Sequence, residues 1–248
     1  RRLGFADGSD AAPPPDVADP LELTYTGLRV ESAFDYASQG LLYVAAGLPP
    51  PGDPGWPDAA GDEAARLVAA AGGRALILTT SYAMVERFSA TLATSPFRVL
   101  AQGDESKRRL IAEFSEDETA VLVATMGFWE GIDVPGPSLS LVVVDRLPFP
   151  RPNDPPMQAK RDAVAARSGS AFDEVDLPRA AMLLAQGAGR LIRSERDRGV
   201  VAVLDGRLAT RRYGRRILLT LPGFARTSDG ARARRYLESM REARDSAR

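Results

Sequence analysis

Five short, predominantly apolar runs constrain this chain most. They are Ala75-Leu76-Ile77-Leu78-Thr79-Thr80, Arg98-Val99-Leu100-Ala101, Ala120-Val121-Leu122-Val123-Ala124, Leu141-Val142-Val143-Val144 and Val200-Val201-Ala202-Val203-Leu204. None alternates polar with apolar, so each reads as a strand covered on both faces. Helical patterns separate them, over Tyr82–Leu92, Ser106–Phe114, about Pro155–Arg167 and Leu177–Ile192. Strand and helix in alternation predict a parallel, doubly wound α/β sheet. A further buried strand is expected at Leu41-Leu42-Tyr43-Val44 and a weaker one across Leu21–Val30. A helix is expected over Asp58–Ala71, capped by Asp58 and stopped by Gly72-Gly73. The opening 20 residues, with Pro13-Pro14-Pro15, read as a linker. A helical tail is expected at about Asp229–Arg244, after Pro222-Gly223.

In such sheets ligands sit beyond the carboxyl ends of the strands. Four polar or glycine-bearing segments follow strand ends: Thr79-Thr80-Ser81-Tyr82, Gln102-Gly103-Asp104, Met126–Gly136 and Asp145-Arg146-Leu147-Pro148-Phe149-Pro150. Turn chemistry alone accounts for Gly103 and Gly136. It accounts less readily for Trp129-Glu130-Gly131-Ile132-Asp133, which sets an aromatic and two carboxylates around a glycine. Within Leu177–Ile192 and just beyond it, Gln186, Arg190 and Arg193 share one helix face at about 100° per residue. Gly187 and Gly189 interrupt that helix, each at a cost of about 1 kcal/mol against Ala. The arginines read either as a solvated face or as a clamp on a phosphate, which a planar, permanently charged fork suits.

Composition removes several chemistries. The chain has 248 residues with no Cys and no His. Thiolate metal ligands, disulfides and imidazole general bases are therefore excluded. No run of Gly-x-x-x-x-Gly-Lys-Ser/Thr occurs, since neither Lys107 nor Lys160 has the glycines. If this chain handles ATP, it supplies only one wall of the site. The net charge of −1 hides an asymmetry: 16 arginines face 7 acids from Arg190 onward, whereas residues 1–65 hold 11 acids and 3 arginines. The basic half, with Arg207, Arg211, Arg212, Arg215 and Arg216 clustered, suits a polyanion, though such a cluster reads equally as a solvated face. No apolar run is long enough to span a membrane and no secretory signal opens the chain. Position 1 is Arg and the first methionine is Met84, so a piece of a longer protein is expected.

The combination of Phe128-Trp129-Glu130-Gly131-Ile132-Asp133-Val134-Pro135-Gly136, Arg146-Leu147-Pro148-Phe149-Pro150 and Gln186-x-x-Gly189-Arg190-x-x-Arg193 resembles the C-terminal motor domain of DinG-like helicases, superfamily 2 relatives of XPD. Order and spacing agree. Leu78–Tyr82 is similar to motif IV and Gln102-Gly103 to the short motif after it. The Trp129–Asp133 pentad is similar to motif V and Gln186–Arg193 to motif VI. Asp205-x-Arg207 through Tyr213-Gly214 and Leu221-Pro222 is similar to the closing segment, and Ser32–Val44 to the lead into this domain.

The resemblance implies a RecA-like fold divided into a lead-in over 1–30, the motor domain over 31–225 and a helical tail over 226–248. It implies an ATP-dependent DNA helicase and hydrolase of cytoplasmic location, moving 5′ to 3′, with this fragment inactive alone. ATP and Mg²⁺ would be held mainly by an N-terminal motor domain outside this chain, where any iron–sulfur cluster would also lie. Arg190 and Arg193 would be arginine fingers, with Gln186 beside the nucleotide; which arginine meets the γ-phosphate stays open. Gly131, Asp133, Gln186, Gly189, Arg190 and Arg193 would line the ATP side. Thr80, Ser81, Tyr82, Gln102, Gly103, Trp129 and Glu130 would meet single-stranded DNA. No metal ligand is expected in this chain. A stand-alone nucleic-acid-binding module and a nuclease-linked relative are the other readings.

Overall fold

The computed structural model describes residues 34–129 and 139–246. In chain order the strands are β1 (Gly40–Val44), β2 (Ala75–Thr79), β3 (Val99–Ala101), β4 (Val121–Thr125), β5 (Leu141–Val144), β6 (Gly199–Val203) and β7 (Ala225–Thr227). The helices are α1 (Tyr36–Gln39), α2 (Trp56–Ala71), α3 (Tyr82–Leu92), α4 (Lys107–Glu116), α5 (Pro155–Ala166), α6 (Leu177–Ala188), α7 (Arg207–Thr210), α8 (Gly214–Leu218) and α9 (Gly230–Asp245). The seven strands form one sheet in the order β3-β4-β2-β5-β6-β1-β7, and every pairing is parallel. This is the expected RecA-like α/β fold. The chain passes from β2 to the edge strand β3, comes back to β4 between them, and then crosses to β5 on the other side of β2. The β2/β5 boundary is therefore the topological switch point, where a crevice opens at the carboxyl edge.

Successive strand residues feed opposite faces. Leu41, Tyr43, Ile77, Val123, Val143 and Ala202 pack under α2, α3 and α9, together with Trp56, Leu67, Phe88 and Leu237. Leu42, Leu76, Leu78, Leu122, Val142 and Val201 pack under α4 and α6, with Leu110, Phe114, Leu177 and Leu184. Burying each such side chain contributes about 1.5–3 kcal/mol. Side chains start several helices: Ser106 accepts from the Arg109 amide, Asp154 from Met157 and Asp229 from Ala231. Helix α9 lies along α2, and its Arg244 donates to Ser140 Oγ at 2.6 Å.

Several boundaries differ from the sequence expectation. Helix α2 begins at Trp56, after Gly55 and with Pro57 in its first turn, so Asp58 sits inside that turn rather than capping it. Gly72 closes α2 in the left-handed region at φ 71°, and Gly73 follows at φ 77°; a Cβ on Gly73 would lie 1.8 Å from the Thr119 carbonyl oxygen. Helix α6 stops at Ala188 with Gly189 as its cap, short of Ile192. The possible strand across Leu21–Val30 lies outside the described residues.

Candidate nucleotide and nucleic-acid site

The carboxyl edge of the sheet carries a continuous polar network. Strand β2 delivers Thr79-Thr80-Ser81 to the start of α3. The Thr79 hydroxyl donates to the Ser81 carbonyl at 2.9 Å, which shapes the turn. Thr80 crosses the switch point and donates to Asp145 Oδ2 at 3.1 Å. Tyr82 opens α3 and is 55% exposed, the largest surface-facing ring on this edge among the described residues. Gln102, after β3, donates through Nε2 to the Tyr82 hydroxyl at 2.5 Å. Its Oε1 accepts from the Thr125 amide at 2.7 Å and the Thr125 hydroxyl at 2.9 Å. Tyr82, Gln102 and Thr125 thus lock the ends of β2, β3 and β4 together. Gly103 is exposed at φ 116°, leaving open space where a side chain would stand.

Two buried carboxylates organise the β5 and β6 ends. Asp145 is fully buried, and burial pushes its pKa up to about 6 against the opposing pull of Thr80 and Arg146. Arg146 Nε lies 3.6 Å from its carboxylate, and the Arg146 guanidinium stacks 4.6 Å over the Trp56 ring. Asp205, also fully buried, accepts from the Leu147 amide at 2.9 Å and grips Arg207 in a two-pronged pair. That pair raises the Arg207 pKa. The loop Arg146–Pro150 is thereby pinned to the end of β6. Phe149, Phe172 and Tyr213 gather over it, with ring centroids 5.3–5.8 Å apart.

The Asp145 environment has a measurable consequence. Between pH 3.8 and about 6 the folded state holds a proton that the unfolded chain has released. Stability from this group is therefore present at low pH and is lost as pH rises through about 6. Asp145→Asn keeps an acceptor for Thr80 and removes that dependence. Its melting temperature should gain on wild type as pH rises from 4 to 7. A constant difference across that range would contradict the assignment.

The Gln186–Arg193 segment is arranged differently from the single helix face expected. Gln186 is exposed on the last turn of α6, but Arg190 and Arg193 lie beyond it, each half-buried. Past Gly187 the amides of Arg190 and Leu191 bond back only three residues, to Gly187 and Ala188, each at 3.3 Å. The helix tightens and ends there, because two glycines weaken it and Leu191 and Ile192 are drawn into the core. Gly187 faces the sheet: a Cβ there would make ordinary contacts, 3.4 Å from Leu78 Cδ1 and 4.0 Å from Met126 Cε. The end of α6 thus adjoins the single turn Met126–Trp129 that follows β4.

Of the residues singled out in the sequence, the structure joins Thr80, Ser81, Tyr82, Gln102 and Gly103 along one edge. Gln186, Gly189, Arg190 and Arg193 form a second group around the end of α6. Trp129 ends the turn after β4, and Glu130, Gly131 and Asp133 lie outside the described residues. Sequence reasoning assigned no role to Asp145, Thr125 or Gln39. The available signal was an Asp directly after an apolar strand in both β5 and β6. Among the described residues no three acidic side chains gather as a metal site, and no helix is long and apolar enough to cross a membrane.

Comparison with known proteins agrees with this architecture. The family described as helicase C-terminal domain matches residues 64–224. The ATP-dependent helicase DinG of Mycobacterium tuberculosis is 48% identical over 224 residues, covering 88% of this chain and 33% of that protein. The ATP-dependent DNA helicase YoaA of Escherichia coli is 45% identical, covering 85% and 33%. A Bacillus subtilis protein named 3'-5' exonuclease DinG is 34% identical, covering 79% and 22%. This chain therefore spans a third or less of the length of these relatives. Among solved structures, an XPD helicase superposes with a TM-score of 0.58 at 20% identity, over 76% of this chain and 36% of that one. Xpd4 of S. tokodaii gives 0.58 at 17%, over 84% and 42%. With fold and sequence in agreement, the chain belongs to the family described as helicase C-terminal domain.

Proposed function

We propose that this chain is the second motor domain of a longer ATP-dependent DNA helicase and supplies half of two sites. On one side, Arg190 and Arg193 reach the γ-phosphate of ATP bound by a first motor domain, with Gln186 and Gly189 in the same wall; Gly131 and Asp133 are assigned to the ATP side by resemblance. On the other, Thr80, Ser81, Tyr82, Gln102 and Gly103 lie along single-stranded DNA, joined by Trp129 and Glu130. The observation that carries the reading is the placement of the two residue groups on the sheet. The hydroxyl and amide groups line the carboxyl edge, whereas the arginines emerge from the end of α6. The turn after β4 adjoins the end of α6, and Thr125 just before it bonds to Gln102. A first motor domain would hold Mg²⁺ with the nucleotide. One relative named an ATP-dependent helicase and another named an ATP-dependent DNA helicase support ATP and DNA as the ligands. Hydroxyls and amides at the edge would grip backbone phosphates without reading sequence, and Tyr82 offers a face for a base. The relative named as an exonuclease favours, as a second reading, a parent protein in which this motor half accompanies a nuclease.

Fluorescence anisotropy of the 248-residue chain with a labelled oligonucleotide tests the DNA half. Binding should weaken as salt rises, with log K falling linearly against log salt. Tyr82→Ala should weaken it further, by about 1–3 kcal/mol if the ring stacks on a base. Binding that is absent at low salt, or indifferent to salt, would count against the edge as a DNA track.

A further inference from the structure

The backbone that carries Arg193 is clamped by two side chains, one from the same loop and one distant in sequence. Asp197 Oδ2 accepts from the Arg193 amide and from the Ser194 amide, each at 2.8 Å. Gln39, only 2% exposed, donates through Nε2 to the Ser194 carbonyl at 2.8 Å and the Asp197 carbonyl at 3.1 Å. The sheet register explains the meeting. Gly40 of β1 stands opposite Gly199 of β6, so the residue before β1 lies beside the loop that enters β6. The clamp has its own anchor, since the Tyr236 hydroxyl on α9 donates to the Gln39 carbonyl at 3.2 Å. On the other side of Arg193, Leu191 and Ile192 are 1% and 2% exposed. Arg193 therefore leaves a stretch of chain fixed at both ends, by apolar burial before it and by an amide–carboxylate clamp after it.

We infer that Gln39 and Asp197 are positioning residues for Arg193: they set the direction in which its guanidinium leaves the loop toward the nucleotide. The inference rests on the proposed role of Arg193 in ATP hydrolysis. The chemistry of the clamp is specific. The amide at position 39 donates two hydrogen bonds to two carbonyls; a carboxylate of the same shape would turn acceptor against acceptor. At position 197 a single oxygen receives both amides, so an Asn side chain can do the same work without charge. A displacement of about 1 Å in a catalytic group can cost about 100-fold in rate. Loosening this loop should therefore act on kcat.

The test uses the full-length protein containing this chain, with single-stranded DNA-stimulated ATP hydrolysis as readout. Gln39→Glu and Asp197→Ala should each lower kcat about 10- to 100-fold, with KM for ATP and affinity for DNA little changed. Asp197→Asn should restore most of the rate lost in Asp197→Ala. In an Arg193→Ala background, neither Gln39→Glu nor Asp197→Ala should lower kcat further. If Gln39→Glu does not fold, the Asp197 pair decides. Wild-type kcat in Asp197→Ala, or equal loss in Asp197→Ala and Asp197→Asn, would overturn the inference while leaving the role of Arg193 intact. Wild-type kcat in Arg193→Ala would instead overturn that role, and the inference with it.

Discussion

Arg190→Ala in the full-length protein is expected to lower DNA-stimulated ATP turnover by about 10³-fold or more, the range an arginine finger contributes to phosphoryl transfer. The loss should fall on kcat. Nucleotide binding would rest mainly with the other motor domain, whereas the guanidinium acts on charge that develops as the γ-phosphate leaves. Arg190→Lys should not rescue it, because a point charge on a flexible stem does not reproduce a planar fork. The variant should remain folded: Leu191 and Ile192 anchor this segment in the core, and Arg190 sits half-exposed in the turn after Gly189. Steady-state ATP hydrolysis with saturating oligonucleotide, alongside a melting curve, checks both statements. A turnover within a few-fold of wild type would remove Arg190 from the site.

Trp56→Ala should produce the largest loss of stability among single substitutions away from that site, about 3–5 kcal/mol. Trp56 is completely buried at the start of α2, and its indole Nε1 donates to the Leu204 carbonyl at 3.1 Å. Its ring also supports the Arg146 guanidinium beside Asp145. Removing it opens a cavity, strands a buried carbonyl and loosens the loop at the switch point. Against a total stability of about 5–15 kcal/mol, the change is large. Trp56→Phe keeps most of the volume and loses the donor, so about 1 kcal/mol is expected. Urea denaturation of the two variants separates these contributions. A loss under about 1 kcal/mol in Trp56→Ala would contradict the described packing.

The sheet was legible in the sequence because its central strands are covered on both faces, which leaves no room for polar residues. The carboxyl-edge segments were legible because each breaks an apolar run with hydroxyls, amides or glycine. Strand β7 was not: Ala225-Arg226-Thr227 lies at the sheet edge, pairs only with β1, and has no apolar run to announce it. The five-residue turn Phe172–Asp176, a wide helical turn leading into α6, has no periodicity of its own. The end of α6 was misplaced because Ala188, Leu191 and Ile192 continue a helical apolar spacing even though the backbone turns at Gly189. Turn glycines and a helix-compatible apolar stripe pulled in opposite directions, and core burial of the stripe was satisfied without the helix.

The site divides the same way. Thr80 and Gln102 could be chosen from position alone, since both follow strand ends. What they bind within the fold could not. Thr80 meets Asp145 across 65 residues of sequence, and Gln39 meets Ser194 across 155. Such contacts follow from strand order, and a sequence pattern does not reveal which strands become neighbours. A buried Asp after a strand looks like an ordinary turn residue until the strand beside it is known. The motif V residues Glu130, Gly131 and Asp133 carry their proposed roles from resemblance alone.

If this chain is half of an ATP site, ATP turnover will require the other half. The 248-residue chain should hydrolyse no ATP above background, with or without single-stranded DNA. The longer protein that includes a first motor domain should hydrolyse it in a DNA-stimulated manner. Turnover by the 248-residue chain alone, or a longer protein whose turnover is indifferent to DNA, would contradict the account.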